Sequence, residues 1–349
     1  MRATTQRVAL LETLGKVKSA VAVRNTLPIL GAILIRAGGG QVTLTGTDLE
    51  VALTASCKAN VTRQGAVAIL PKMLEAFLKA VKAETVSLSL VDKNHLKIEA
   101  GASTTLEGYA AEDFPSMPGV KGKAVEVTGL ASVLKQVSYA MARGESRPVL
   151  NGVCFTPDNG RIALAAADGF RLAETTVKAK GQLEQVIVPS KAVCLIEKLM
   201  PSKVSIHRGE DTISFVGEGL VLTAKVVTGQ YPNYRQLIPK NGSPIRLDST
   251  ALKDALDVVS ITLPDNNVVR LQTRARNLIV STKNEEKGET EAKVPARGKI
   301  RAAFDISYLK DLLAKTSGPI TLRTTIAQSP GVVKHKGTIH VIMQMFVQW

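Results

Sequence analysis

Short apolar runs alternate with turn residues along this chain, and the alternation recurs. In Leu164-Ala-Ala-Ala-Asp-Gly-Phe-Arg-Leu-Ala-Glu174 an apolar run meets Asp168-Gly169 and continues as the mixed run Phe170–Val177. A turn dipeptide between two such runs predicts two antiparallel strands joined by a tight turn. The same pattern occurs as Leu44-Thr-Gly-Thr-Asp-Leu-Glu-Val-Ala-Leu53, and more faintly over Val280–Gly288. One hairpin design is therefore used three times.

Helical periodicity breaks the strands at intervals. Residues 5–18 align Leu10, Leu11, Leu14 and Val17, one stripe of a helix. Pro71 suits a helix start, where its missing N–H costs nothing. Behind it, residues 72–82 set Leu74, Phe77, Leu78 and Val81 against Lys72, Glu75, Lys79 and Lys82. Val186-Ile-Val-Pro-Ser-Lys191 repeats Val67-Ala-Ile-Leu-Pro-Lys72 and leads into a helix ending at Met200. Further helices are predicted over Leu130–Met141, over Ala251–Ile261 behind a cap at Asp248 or Ser249, and over Tyr308–Lys315 behind Asp305. Six helices at about 60-residue intervals, each set between strands, mark an internal repeat. The expected class is α+β: three similar domains of antiparallel sheet, each with two helices on one face. Short Gly/Pro/Lys segments at Gly119–Lys123 and Lys240–Pro244 divide the chain into domains 1–120, 121–242 and 243–349.

Composition narrows the function. The 349 residues are enough for two or three cores, and with aromatic content of 4% those cores must be Val, Leu, Ile and Ala. Mean hydropathy is +0.10. No apolar run reaches membrane-spanning length, and Met1–Val8 lacks the apolar stretch of a signal peptide. A cytoplasmic protein is expected, with Cys57, Cys154 and Cys194 as buried free thiols. The net charge of +15 attracts polyanions, nucleic acid first and anionic membrane second. Lys72, Lys79, Lys82, Lys135, Lys191, Lys198, Lys253, Lys310 and Lys315, with Arg7, fall at helix positions. Helices facing one way would gather them on one polyanion-facing surface. Glu12, Glu75, Glu197, Asp254 and Asp257 dilute it.

Enzymatic chemistry finds no support. The phosphate-loop and dinucleotide glycine patterns are absent, so no cofactor is expected. His95, His207, His335 and His340 lack metal-ligand spacing, and no metal is expected. His335 and His340 read as surface or core residues. Asp48 and Asp168 have a turn role and no paired carboxylate. A ring and an open basic arc on DNA both remain compatible with the repeat.

Several of these motifs occur in a familiar order: Thr26-Leu-Pro-Ile-Leu30, Leu44–Glu50, Asp113-Phe-Pro115, Leu150-Asn-Gly152, Ala167–Ala173, Tyr231-Pro-Asn-Tyr-Arg-Gln-Leu-Ile-Pro239 and Val341-Ile-Met-Gln-Met345. Across essentially its whole length the chain resembles the bacterial DNA polymerase III β subunits, the sliding clamps. The resemblance implies the clamp fold and a head-to-tail, ring-shaped homodimer with helices lining the hole. It implies a processivity factor that encircles duplex DNA and tethers DNA polymerase III. The clamp loader and other clamp-binding-motif proteins are further implied partners. These would dock in a hydrophobic cleft formed by Leu150, Ala167, Gly169, Phe170, Arg171, Leu172, Pro232, Gln236, Leu237, Val341, Met343 and Met345, with Arg171 and Gln236 as its polar rim. The residue pattern alone favours core roles for Met343 and Met345. Sequence-independent DNA contacts would come from Arg24 and Lys191, from Arg143 on a loop, and from Lys72, Lys79 and Lys198. Leu106 and Ile261 would lie at the dimer interface. Gln344 stands where the family usually has Pro, Phe346–Trp349 departs from its usual ending, and Phe170 and Ala167 make the cleft more apolar than usual. The strong positive charge is also unusual for the family.

Overall fold

The computed structural model describes residues 1–22, 27–116, 118–144, 147–325 and 329–349. It is an α+β structure in which the strand pairings among the described residues are antiparallel. The α-helices are α1 (Arg7–Val17), α2 (Pro71–Ala80), α3 (Leu130–Leu134), α4 (Ser190–Leu199), α5 (Ser249–Val259) and α6 (Ile306–Leu313).

Most predicted elements form where the pattern places them. Pro71 is the first residue of α2, and Leu74 and Leu78 are fully buried. Asp248 caps α5 by accepting from the Thr250 and Ala251 amides. Asp305 caps α6 in the same way, from Ser307 and Tyr308. Each cap satisfies amides that the first helical turn leaves open. Residues 2–6, in contrast, are a strand (Arg2–Gln6), so the first helix starts two residues later than its periodicity suggests.

The helix expected over Leu130–Met141 is another correction. It stops at Leu134, and the chain tightens into turns with amide-to-carbonyl bonds three residues back, as in Val137 to Leu134 and Ala140 to Val137. Such bonds narrow the coil yet keep one face inward. Leu130, Leu134, Val137 and Ala140 are all fully buried, so the apolar spacing is satisfied without a regular α-helix. The thiols differ too: Cys154 is buried, Cys57 is half-buried and Cys194 is exposed on α4.

The chain packs as two compact units: Met1–Ala131 with Lys178–Glu184 and Lys191–Val226, and Ser132–Val177 with Gln185–Ser190 and Val227–Trp349. Each unit is held together by a sheet that joins distant parts of the chain. In the first, Val51–Arg63 pairs with Leu220–Lys225, Val51 opposite Ala224. In the second, Arg171–Lys180 pairs with Thr338–Ile342, Leu172 opposite Val341. The central third thus contributes strands to both units. The second unit has a core around Phe304, Leu256, Val269 and Ile342, and a smaller cluster of Leu150, Cys154, Leu172, Tyr231, Tyr234 and Val341. Burying one such Leu or Val contributes roughly 1.5–3 kcal/mol. Among the described residues no helix is long and apolar enough to cross a membrane.

Candidate functional site

The opening hairpin ends in a tip built on one carboxylate. Asp168 Oδ1 accepts the amides of Phe170 and Arg171, both at 2.9 Å, and the Asp168 amide donates to the Arg171 carbonyl. This is an Asx turn, in which a short side chain imitates backbone. Gly169 takes φ +96°, a left-handed conformation that suits glycine. The tip is therefore centred on Gly169-Phe170, one residue beyond the dipeptide singled out in the sequence. Phe170 ends up 58% exposed. Its carbonyl accepts the Met343 amide at 2.8 Å, which fixes Met343 beside it.

These residues border a cleft of about 410 Å³ in the second unit. Of the sequence-predicted set, Leu150, Ala167, Gly169, Phe170, Arg171, Leu172, Pro232, Leu237, Val341 and Met343 line it. Gln236 is exposed but does not line it. Met345 is half-buried, outside the cleft, with its amide bonded to the Ala303 carbonyl. Met343 is 40% exposed, so it is not the core residue that its strand position suggested. Leu237, 61% exposed, offers a second apolar surface at the mouth. Sequence reasoning missed Arg147, Tyr231, Tyr234, Ile238 and Pro330. Tyr231, Tyr234 and Ile238 stood inside a quoted motif, whereas Arg147 and Pro330 carried no local signal.

One wall of the cleft is secured by a buried carboxylate. Glu174 accepts from Tyr234 Oη and from Arg235 Nε, each at 2.9 Å. The segment Tyr234–Leu237 is thereby tied to the second strand of the hairpin, Arg171–Lys180. Burial, followed by the nearby Glu174 charge, pushes the Tyr234 phenol well above its ordinary pKa, so it stays protonated and donating.

Arg171 is not the open rim donor expected of it. Its side chain is 6% exposed, with Nε on Asp168 and Nη1 on Asp311. The guanidinium also lies 4.6 Å from the Tyr308 ring centre and 5.4 Å from that of Tyr139. Burial alone would lower its pKa, but the two carboxylates outweigh burial and raise it. Arg171 is a buried strut, whereas Arg147 is the exposed cation that lines the cleft.

The first unit carries a counterpart of this tip. Asp48 Oδ1 accepts the amides of Glu50 and Val51, and the Lys225 amide donates to the Glu50 carbonyl at 2.9 Å. Glu50 and Lys225 thus occupy the places of Phe170 and Met343. Their side chains form an ion pair at 3.1 Å beside a smaller cleft of about 330 Å³. In the third hairpin Asn284 Oδ1 accepts from Glu286 and Lys287.

The basic residues fare unevenly. Lys72, Lys79 and Lys198 are exposed, on α2 and α4. Lys79 shares Glu75 with Lys18, and those two hydrogen bonds hold the Glu75 carboxyl below its usual pKa. Lys191 is ion-paired with Asp48 at the start of α4. Arg143 is exposed and lines a cavity adjoining the cleft. Arg24 lies outside the described residues. Arg7 is structural: it donates to the carbonyls of Leu78 and Ala83 at the C-terminal end of α2, where a cation is favoured. Leu106 is half-buried on the strand Ser103–Glu107, whose described partner is His95–Glu99, and Ile261 is 72% exposed just beyond α5. His340 is fully buried, and no cluster of metal-ligating side chains occurs among the described residues.

Comparison with known proteins gives consistent results. Residues 1–118 match the DNA polymerase III beta subunit N-terminal domain, and residues 124–233 match its central domain. The beta sliding clamp of Pseudomonas putida is 30% identical over 99% of this chain and 100% of its own length. A DNA polymerase sliding clamp from Bacillus subtilis superimposes with a TM-score of 0.94 at 22% identity, covering both chains fully. A Pseudomonas aeruginosa sliding clamp bound to griselimycin gives 0.93 at 27% identity, covering 99% of this chain and 100% of its own.

Proposed function

The chain belongs to the DNA polymerase III beta subunit family, the bacterial sliding clamps, and from that premise we propose how it holds a polymerase to DNA. It is a DNA polymerase processivity factor. It does no chemistry: its contribution is to keep the polymerase at high effective concentration near the primer end. Two copies close into a ring around duplex DNA, and the chain divides into clamp domains 1–120, 121–242 and 243–349. Support for that division comes from the Asx turn that recurs at Asp48, Asp168 and Asn284. Contacts to phosphate are sequence-blind, so the ring slides. Lys72, Lys79 and Lys198 are exposed cations for this role, and the family resemblance adds Arg24 and Lys191 to them. Leu106 and Ile261 serve ring closure, and an edge strand paired across subunits leaves no free edge.

Partners dock in the apolar cleft. The observation that carries this reading is the convergence of residues from four distant stretches, near 150, 170, 235 and 342, on one apolar hollow. Leu172, Val341 and Met343 provide adaptable apolar contacts for anchor side chains. DNA polymerase III, the clamp loader and other carriers of a short clamp-binding motif take turns there.

Two measurements test the reading. Light scattering should give about twice 37.2 kDa. The protein should stay on nicked circular DNA and leave once the circle is cut. A monomer that persists on linear DNA with free ends would instead be an open, electrostatic binder.

A further inference from the structure

A second cavity, of about 610 Å³, adjoins the apolar cleft and shares Arg147, Phe170 and Arg171 with it. Arg143, Tyr308 and Asp311 contribute to its other walls. Phe170 stacks on Tyr308 with ring centres 6.0 Å apart, so both lining rings belong to one aromatic pair. The cavity holds three arginines against two carboxylates, Asp168 and Asp311. Both carboxylates are bonded to the buried Arg171. Arg143 and Arg147 are exposed, and neither has an ion-pair partner among the described residues. Two guanidinium groups with no acidic partner among the described residues, beside an apolar cleft, fit a carboxylate, which they can bind through charge-assisted hydrogen bonds.

We propose that this cavity receives an acidic flank of the partner segment whose apolar anchors fill the cleft, so that the protein selects partners carrying Asp or Glu next to those anchors. The inference rests on the cleft reading above and adds the charge of the flank to it. Arg143 then serves partner choice, and its positive charge also speeds encounter with acidic segments. A peptide explains the site better than a DNA phosphate does. The arginines line a cavity that shares Arg147, Phe170 and Arg171 with the cleft, and the Phe170–Tyr308 pair offers apolar contact to a side-chain stem.

The test uses two peptides with identical apolar anchors, one with a Glu flank and one with a Gln flank, titrated calorimetrically against the full chain. The Glu peptide should bind about tenfold tighter, a gap that narrows as salt rises. Arg143 lines this cavity and not the cleft, so Arg143→Ser should narrow the gap severalfold, with Arg147 still in place, and leave Gln-peptide affinity unchanged. Arg143→Glu, which sets a carboxylate against the remaining Arg147, should abolish the preference for the Glu peptide. Equal affinities for Glu and Gln peptides on the unaltered protein would overturn the flank inference and leave the cleft standing. Binding of neither peptide would overturn both. Intact Glu preference in Arg143→Ser, with weakened retention on nicked circular DNA, would assign this arginine to duplex and reject the proposal.

Discussion

His340 is fully buried on the strand Thr338–Ile342, with Nδ1 2.9 Å from the Tyr139 hydroxyl and no partner at Nε2 among the described residues. Burial, then the charges of His335 and Lys315, lower its pKa to about 4. The unfolded chain binds this proton near pH 6.5, so stability is full above that value and falls as pH drops toward 4. The loss approaches about 3 kcal/mol at the lower limit. Urea titrations between pH 7 and 4 should show this slope, and His340→Leu should flatten it. Cleft residues allow a second check. Met343→Ala with Leu237→Ala removes two exposed apolar groups, so a polymerase-derived peptide should bind at least tenfold more weakly while the melting temperature stays within a few degrees. At this scale most cleft positions were legible, because motif order carried them. Arg171 was not, because nothing local in the sequence reveals that Asp311, 140 residues away, would claim its guanidinium.

The hairpin tips show how far local pattern reaches. Asp or Asn at the head of each turn forecasts the Asx geometry, and the three tips follow it. The residue after the Asp is less obvious. Gly169 suits its positive φ, but Leu49 holds φ +75° with a branched side chain. A left-handed conformation costs a non-glycine residue roughly 1–2 kcal/mol. Leu49→Gly should therefore raise the melting temperature by a few degrees in calorimetry, despite losing some contact area. Gly169→Ala should act the other way. It is strained, and its Cβ would sit 2.6 Å from Arg147 Nη1, so peptide affinity should fall as Arg147 is displaced. Helix existence was legible wherever caps and apolar spacing agreed, as at α2, α5 and α6. The short α3 was not: its apolar spacing suits a chain of tight turns as well as a helix.

For the whole molecule, the repeat was readable from the alternation of strands and helices, but the two compact units were not. Their outlines depend on strand pairings between distant residues, such as Leu53 with Leu222, which no local pattern encodes. The positive charge is likewise only partly available to DNA, since several helix cations are ion-paired or capping, as Lys191 and Arg7 are. Closure of the proposed ring can be probed at Ile261, which is exposed in the single chain. Ile261→Lys should shift the scattering mass from the dimer toward 37.2 kDa and shorten residence on circular DNA. The rung between Glu50 and Lys225 has a consequence for traffic on the clamp. Where the second unit presents Phe170 and Met343 to a visitor, the first presents a closed pair of opposite charges, so the two hollows are not interchangeable berths. Partners that use the proposed cleft would then queue for a single mooring on each chain, and the pace of handover would be set by how quickly the incumbent lets go.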